Sequence, residues 1–227
     1  MRALAIDTAL AACSAAVLDT AHGGILASES VTMFRGHAEA LMPLIARLMK
    51  ASGLAFAELD RVVVTTGPGS FTGLRVGIAA ARGLALATAT PVVGVSTLSA
   101  YAAPYLGVDD KTQVVAAIDA RHGQVYLQVF GPGGATLLAP RLAPLSEAAA
   151  AAAAAPARIV GSAAQAVADA LPDTAPAPVA VDARAAPDID WVARIGAVAP
   201  ETNAPPKPQY LRAPDAQPQH AASLPRR

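Results

Sequence analysis

Cysteine is nearly absent from this chain, and so is any excess of one charge. A single thiol, Cys13, leaves no partner for an internal disulfide and suits a reducing, cytoplasmic setting. Basic and acidic side chains number 17 each, and a formal net charge of zero argues against a broad electrostatic nucleic-acid footprint by this chain alone. The four histidines, His22, His37, His122 and His220, contain no His-x-x-x-His pair, so no metal site is expected. There is no uninterrupted apolar run of about 18 residues, so no membrane span is expected. The apolar stretch from Arg2 to Leu10-Ala11-Ala12-Cys13 has the superficial look of an export signal, but Asp7 and Thr8 break it in the middle.

What is present is apolar surface. In 227 residues, 54% hydrophobic side chains are ample for the core of one large or two small domains. The most informative stretch is Thr65-Thr66-Gly67-Pro68-Gly69-Ser70-Phe71-Thr72-Gly73-Leu74-Arg75-Val76-Gly77. Arg61-Val62-Val63-Val64 reads as a buried strand, Gly67-Pro68-Gly69 breaks it, and Ser70 or Thr72 can cap the helix expected from Gly73 to about Thr88. Within that helix Gly73, Gly77 and Ala81 fall four apart, as do Ala79, Gly83 and Ala87, leaving two flanks almost without side chains. Each interior glycine costs about 1 kcal/mol relative to alanine, so another backbone is expected to come close, from the chain's own sheet or from a partner's helix. The loop lacks the Gly-Lys-Ser/Thr of a P-loop and does not fit the dinucleotide fingerprint. A phosphate cradle at the helix N-terminus is therefore the lesser reading, and structure or partner contact the better one.

The rest of the first half reads as strands Ala3 to Asp7, Ala12 to Leu18 and Ile25 to Thr32, a helix His37 to Ala51, the strand and helix above, and a strand Val92 to Val95. A further helix opens at Ser96 and ends at Pro104. The second half begins the same way. Val114 to Asp119 closes on an aspartate as Leu4 to Asp7 does, then pairs with Val125 to Phe130 and with Ala135 to Ala139. Two meanders that each open on a strand ending in Asp predict an internal duplication. Beyond them, Ser146-Glu147 heads an alanine-rich helix ended by Pro156, and Arg158 to Gly161-Ser162 reads as a strand turning into a helix. Pro172 to Pro187 is a loose connection with one short strand, Asp188 to Val198 is a helix carrying Trp191, and the tail beyond Arg212 is expected to be disordered.

Ala5-Ile6-Asp7-Thr8, Gly36-His37-Ala38-Glu39, Gly67 to Arg75, Asp119-Ala120-Arg121 with Val125-Tyr126, and Pro208-Gln209-Tyr210-Leu211-Arg212 together carry a resemblance. The chain resembles the actin/Hsp70/sugar-kinase superfamily, and within it the TsaB family of bacterial tRNA threonylcarbamoyladenosine biosynthesis proteins. The resemblance implies an α/β fold of two actin/Hsp70-like subdomains, duplicated RNase H-like units with mixed sheets flanked by helices. Residues 1–103 would form the first, residues 104–212 the second with its last segment returning to the first, and residues 213–227 the tail. It also implies a non-catalytic subunit of tRNA threonylcarbamoyladenosine formation on ANN-decoding tRNAs. Such a subunit binds and activates the transferase TsaD, together with the ATPase TsaE, reaches tRNA only through the complex, and self-associates as a homodimer when alone.

The expected partner surface is the pair of N-terminal helices, through His37, Leu41, Leu44, Ile45 and Leu48 on the first and Gly73, Leu74, Val76, Gly77 and Ala81 on the second. Leu41, Met42, Leu44, Ile45, Leu48 and Met49 spread beyond the ~100° arc of a helix resting on one sheet, so apolar surface should be left over. The resemblance implies a vestigial nucleotide site at Asp7, Thr8 and Asp119, set against the better reading that each aspartate simply ends its strand and accepts backbone hydrogen bonds. No tightly bound cofactor is expected on this chain, with ATP and a divalent metal on the partner subunits. The catalytic paralog has a second histidine four residues after the position of His37, where this sequence has Leu41. The runners-up are an autonomous kinase or ATPase, which would need the glycine hairpin that Thr8 to Ser14 lacks, and a peptidase, for which no Ser/His/Asp arrangement can be assembled.

Overall fold

The computed structural model describes residues 1–201 and 204–212, so the tail expected to be disordered lies outside the described residues. The chain opens with an antiparallel meander, β1 (Arg2–Asp7), β2 (Ala12–Asp19) and β3 (Gly24–Thr32), followed by α1 (His37–Ser52). β4 (Arg61–Gly67), α2 (Phe71–Thr88), β5 (Val92–Ser96) and α3 (Thr97–Ala102) complete the first half. The second half repeats the plan with β6 (Gln113–Asp119), β7 (Gln124–Phe130), β8 (Thr136–Pro144), α4 (Leu145–Ala153), β9 (Ala157–Val160), α5 (Ala164–Asp169) and β10 (Ala180–Asp182). α6 (Ile189–Val198) is the last regular element among the described residues.

Each half builds a five-stranded mixed sheet, ordered β3-β2-β1-β4-β5 in the first and β8-β7-β6-β9-β10 in the second. In both, the first strand pairs antiparallel with the second and parallel with the fourth. The predicted duplication is thus present strand for strand, and the two-lobed fold is the one the resemblance implies. Both central strands are covered on two faces, which is why Leu4-Ala5-Ile6 and Val114 to Ile118 are apolar without alternation.

The surplus apolar arc of α1 has a local explanation. α1 lies against β2 and β3 and also touches α2, so Leu41, Leu44, Ile45, Leu48 and Met49 are all buried in one core with Leu4, Ile6 and Ile78. Two packing surfaces absorb what one sheet could not. Of the arc read from the sequence, only Met42 remains outside, 45% exposed.

Some boundaries move. α2 begins at Phe71 rather than Gly73, because the Ser70 hydroxyl accepts the Gly73 N–H and caps the helix there. α4 begins at Leu145 after Pro144, one residue before Ser146, with no side-chain cap. β8 runs on to Pro144.

α6 follows the second sheet in sequence but packs on the first. Ile189, Val192, Ala193 and Ala197 join Ala3, Ala5, Ala16 and Val63. A Cβ on Gly196 would lie 2.2 Å from Val63. Arg61, buried beneath the helix end, donates from Nη1 to the carbonyls of Gly196, Ala197 and Ala199 at 2.7, 3.1 and 2.7 Å. A guanidinium there complements the negative end of the helix dipole.

Candidate functional site

The candidate site lies between the lobes, where β1 and β6 each end in an aspartate. The two ends are built differently. Asp7 is 0% exposed, and its Oδ1 accepts the Thr65 hydroxyl at 2.5 Å and the Ala9 N–H at 3.0 Å. Its Oδ2 is buried without a hydrogen-bond partner among the described residues. Burial pushes the Asp7 carboxyl up from its ordinary range, against the lowering by Thr65 and Ala9. Asp119 is exposed, and its Oδ1 accepts the Arg121 N–H at 2.8 Å.

The loop after Asp7 is closed from the other side by the glycine turn. The Ser70 N–H donates to the Ala9 carbonyl at 2.7 Å, and a Cβ on Gly69 would stand 2.4 Å from that same oxygen. One turn on, the Thr8 hydroxyl donates to the Gly73 carbonyl at 2.7 Å, while a Cβ on Gly73 would meet the Thr8 carbonyl at 2.0 Å. A Cβ on Gly77 would lie 2.5 Å from the Thr8 hydroxyl oxygen. The glycines are therefore spent on bringing α2 onto the chain's own first loop. The Ser70 N–H, which would serve a phosphate in a cradle, is bonded to Ala9 instead.

Most of the residues expected at a partner surface lie inside the chain instead. Leu41, Leu44, Ile45, Leu48, Gly73, Leu74, Gly77 and Ala81 are buried inside the chain, Val76 is half-buried, and His37, the first residue of α1, turns its Nε2 to the Leu10 carbonyl at 3.1 Å. The second small-residue flank of α2 faces outward. Ala79, Gly83 and Ala87 are exposed, Gly83 has no atom within 4 Å of where its Cβ would stand, and Leu86 beside them is 87% exposed. Met42, Pro43 and Ala46 of α1 are exposed as well. Among the described residues no group of His, Cys, Asp or Glu side chains could hold a metal ion, and no helix is long and apolar enough to cross a membrane.

Between the lobes is a cleft of about 750 Å³. Leu10, Gly69, Ser70 and Phe71 line its first-lobe side, and Asp119, Arg121, Tyr126 and Ser162 its second-lobe side. The segment after α6 returns across its mouth: the Gln209 N–H donates to the Thr66 carbonyl at 2.7 Å, and Arg212 donates to the Ala120 carbonyl of the other lobe at 2.9 Å. Tyr210 lies with its ring centroid 5.1 Å from that of Phe71, and the Arg75 guanidinium lies 3.7 Å from the Phe71 centroid. Phe71, Arg75 and Tyr210 stand inside the motifs quoted above, yet a reading by spacing passed over them. The available signal was an aromatic side chain at the first position of a helix with an arginine one turn later.

Comparison with known proteins places this geometry. The family model described as TsaD, tRNA N6-adenosine threonylcarbamoyltransferase, matches residues 14–199. The tRNA threonylcarbamoyladenosine biosynthesis protein TsaB of Escherichia coli is 40% identical over 126 residues, 56% of this chain and 53% of that protein, so the chain spans about half the length of that relative. An uncharacterised protein of Mycobacterium tuberculosis is 35% identical over 220 residues, 95% of this chain and 93% of that one. The structure of YeaZ from Pseudomonas aeruginosa superimposes with a TM-score of 0.76 at 31% identity, over 92% of this chain and 99% of that one. On sequence and on fold, the chain belongs to the TsaB family of tRNA threonylcarbamoyladenosine biosynthesis proteins, a branch of the TsaD-related proteins.

Proposed function

We propose that this chain is a non-catalytic subunit of tRNA threonylcarbamoyladenosine formation, one that binds and activates a TsaD-type transferase and works with a TsaE-type ATPase. The observation that carries this reading is the closed loop around Asp7. A kinase or ATPase of this fold needs backbone N–H groups open to phosphate beside its first aspartate. Here Ala9 and Thr8 are packed against Gly69, Ser70 and Gly73, and Asp7 has no exposure to solvent. With ATP and metal chemistry left to the partner subunits, what this chain offers is surface.

The surface best suited to a partner is the outward flank of α1 and α2, from Met42 and Ala46 to Ala79, Gly83, Leu86 and Ala87. Small residues there let a second pair of helices approach closely, and exposed Leu86 and Met42 supply apolar area. The same flank serves a second copy of the chain when the partner is absent. Size-exclusion chromatography with and without TsaD, together with ATP turnover by the chain alone, tests the reading. A homodimer that converts to a heterodimer, with no turnover alone, is expected. Turnover by the isolated chain that Asp7→Ala abolishes would overturn it in favour of an autonomous ATPase.

A further inference from the structure

The geometry points to the cleft between the lobes as a contact site for an unpaired stretch of RNA; we propose that this chain touches its tRNA there directly, by stacking. This rests on the proposed role in tRNA modification and goes beyond it, because that role needs no RNA contact from this chain.

The chain is poor in aromatics, with four phenylalanines, four tyrosines and one tryptophan, yet Phe34, Phe71, Tyr126 and Tyr210 all line this one cleft. Phe34 is 83% exposed at its rim, a placement that core packing does not explain. Phe71 and Tyr210 are already held as a platform. Arg75 lies over the Phe71 ring and donates from Nε to the Tyr210 hydroxyl at 3.2 Å, so three side chains from two distant segments are fixed before any ligand arrives. The glycines and Ser70 of the turn are explained by packing and capping. Phe71 and Arg75 between them hold Tyr210 and still keep exposed surface.

The charges fit the same ligand. Arg121, which lines the cleft, forms no ion pair among the described residues, and among those residues Asp119 is the one acidic side chain lining it. Arg121 and His122 hold φ of +63° and +52°, a left-handed turn that L side chains rarely adopt, in the hairpin that presents Arg121 to the cleft. Flat π faces beside arginines suit a nucleobase with its phosphate, and recognition of single-stranded RNA by protein works largely through such stacking. A contact of one or two bases also agrees with a chain of zero net charge, which has no broad basic face.

The test is a titration of the full chain with an unstructured hexaribonucleotide, followed by amide and aromatic chemical shifts, which register millimolar binding. Shifts gathered at Phe34, Phe71, Arg121 and Tyr210 are expected, with affinity lowered on the order of tenfold by Phe34→Ala. Arg121→Ala should reduce the slope of log affinity against log salt by roughly one. Phe34 is exposed, so that variant keeps the fold, and its co-purification with TsaD, scored separately, should be unchanged. Absence of shifts at the cleft at millimolar RNA overturns the proposal and leaves the partner role standing. Binding of adenosine monophosphate as tight as that of the hexanucleotide also overturns it, in favour of a free-nucleotide site. Loss of TsaD from Phe34→Ala would overturn it too, and make the cleft a protein-docking surface.

Discussion

Thr8 and Gly73 are locked together in both directions: the Thr8 hydroxyl donates to the Gly73 carbonyl at 2.7 Å, and the Thr8 carbonyl occupies the space a Gly73 Cβ would need. The contact joins the loop after the first strand to the start of α2, sixty-five residues later.

Gly73→Ala should therefore destabilise the isolated protein by about 3 kcal/mol or more, since both clashing groups are backbone-anchored. Gly83→Ala, five residues past the inward Ile78 on the open flank, should instead stabilise the isolated chain by up to about 1 kcal/mol through helix propensity. Urea unfolding of the two variants checks the pair, and similar losses in both would show that glycine is needed at each for the same reason.

Charge placed on the two helices should separate folding from assembly. Leu86→Glu and Ala79→Glu lie on exposed positions and should leave stability within about 0.5 kcal/mol while abolishing co-purification with TsaD. Leu48 and Gly77, buried within the chain, should unfold it when replaced by glutamate. Circular dichroism beside pull-down reads both outcomes, and a Leu86→Glu chain that still binds TsaD at full stoichiometry would place the interface elsewhere.

Asp7 should give an unusual pH dependence. Burial raises its folded-state pKa above the ordinary 3.8, so the folded protein keeps a proton that the unfolded chain has already released. The stability tied to this group is full at pH below 3.8, falls as pH rises toward the folded pKa, and is flat beyond it. Asp7→Asn removes that fall, so the difference in unfolding free energy between variant and wild type should move in the variant's favour as the pH rises above the ordinary 3.8. A movement in the opposite direction would mean that Thr65 and Ala9 outweigh burial and hold the carboxylate ionised.

Arg61→Leu should cost roughly 3 kcal/mol, because three carbonyls at the end of α6 lose a charged donor while remaining buried or half-buried. Trp191, the single tryptophan, sits on the same helix and should report local loosening of α6 by its fluorescence before global unfolding.

Much of this was legible along the chain. The strands announced themselves as apolar runs closed by Asp7 and Asp119, the break after the fourth strand by Gly67-Pro68-Gly69, and the duplication by two meanders of one plan. These are local properties, set by propensity and by the period of side-chain burial. The cleft was less legible. Its aromatic rim comes from Phe34, Phe71, Tyr126 and Tyr210, which no short window contains together.

Residue order and spacing alone make α2 a helix with two small-residue flanks and give α1 more apolar surface than one sheet can cover. Which flank faces in was settled by long-range packing. A helix of 3.6 residues per turn presents Gly73-Gly77-Ala81 and Ala79-Gly83-Ala87 as equals, and nothing local distinguishes them. The choice was made by Thr8, Val64 and Ile6 meeting the first flank, just as the last helix in the chain, α6, was drawn to the first sheet by Val63 and Arg61. Those contacts join residues far apart in sequence, and their energy exists only once the sheets have formed.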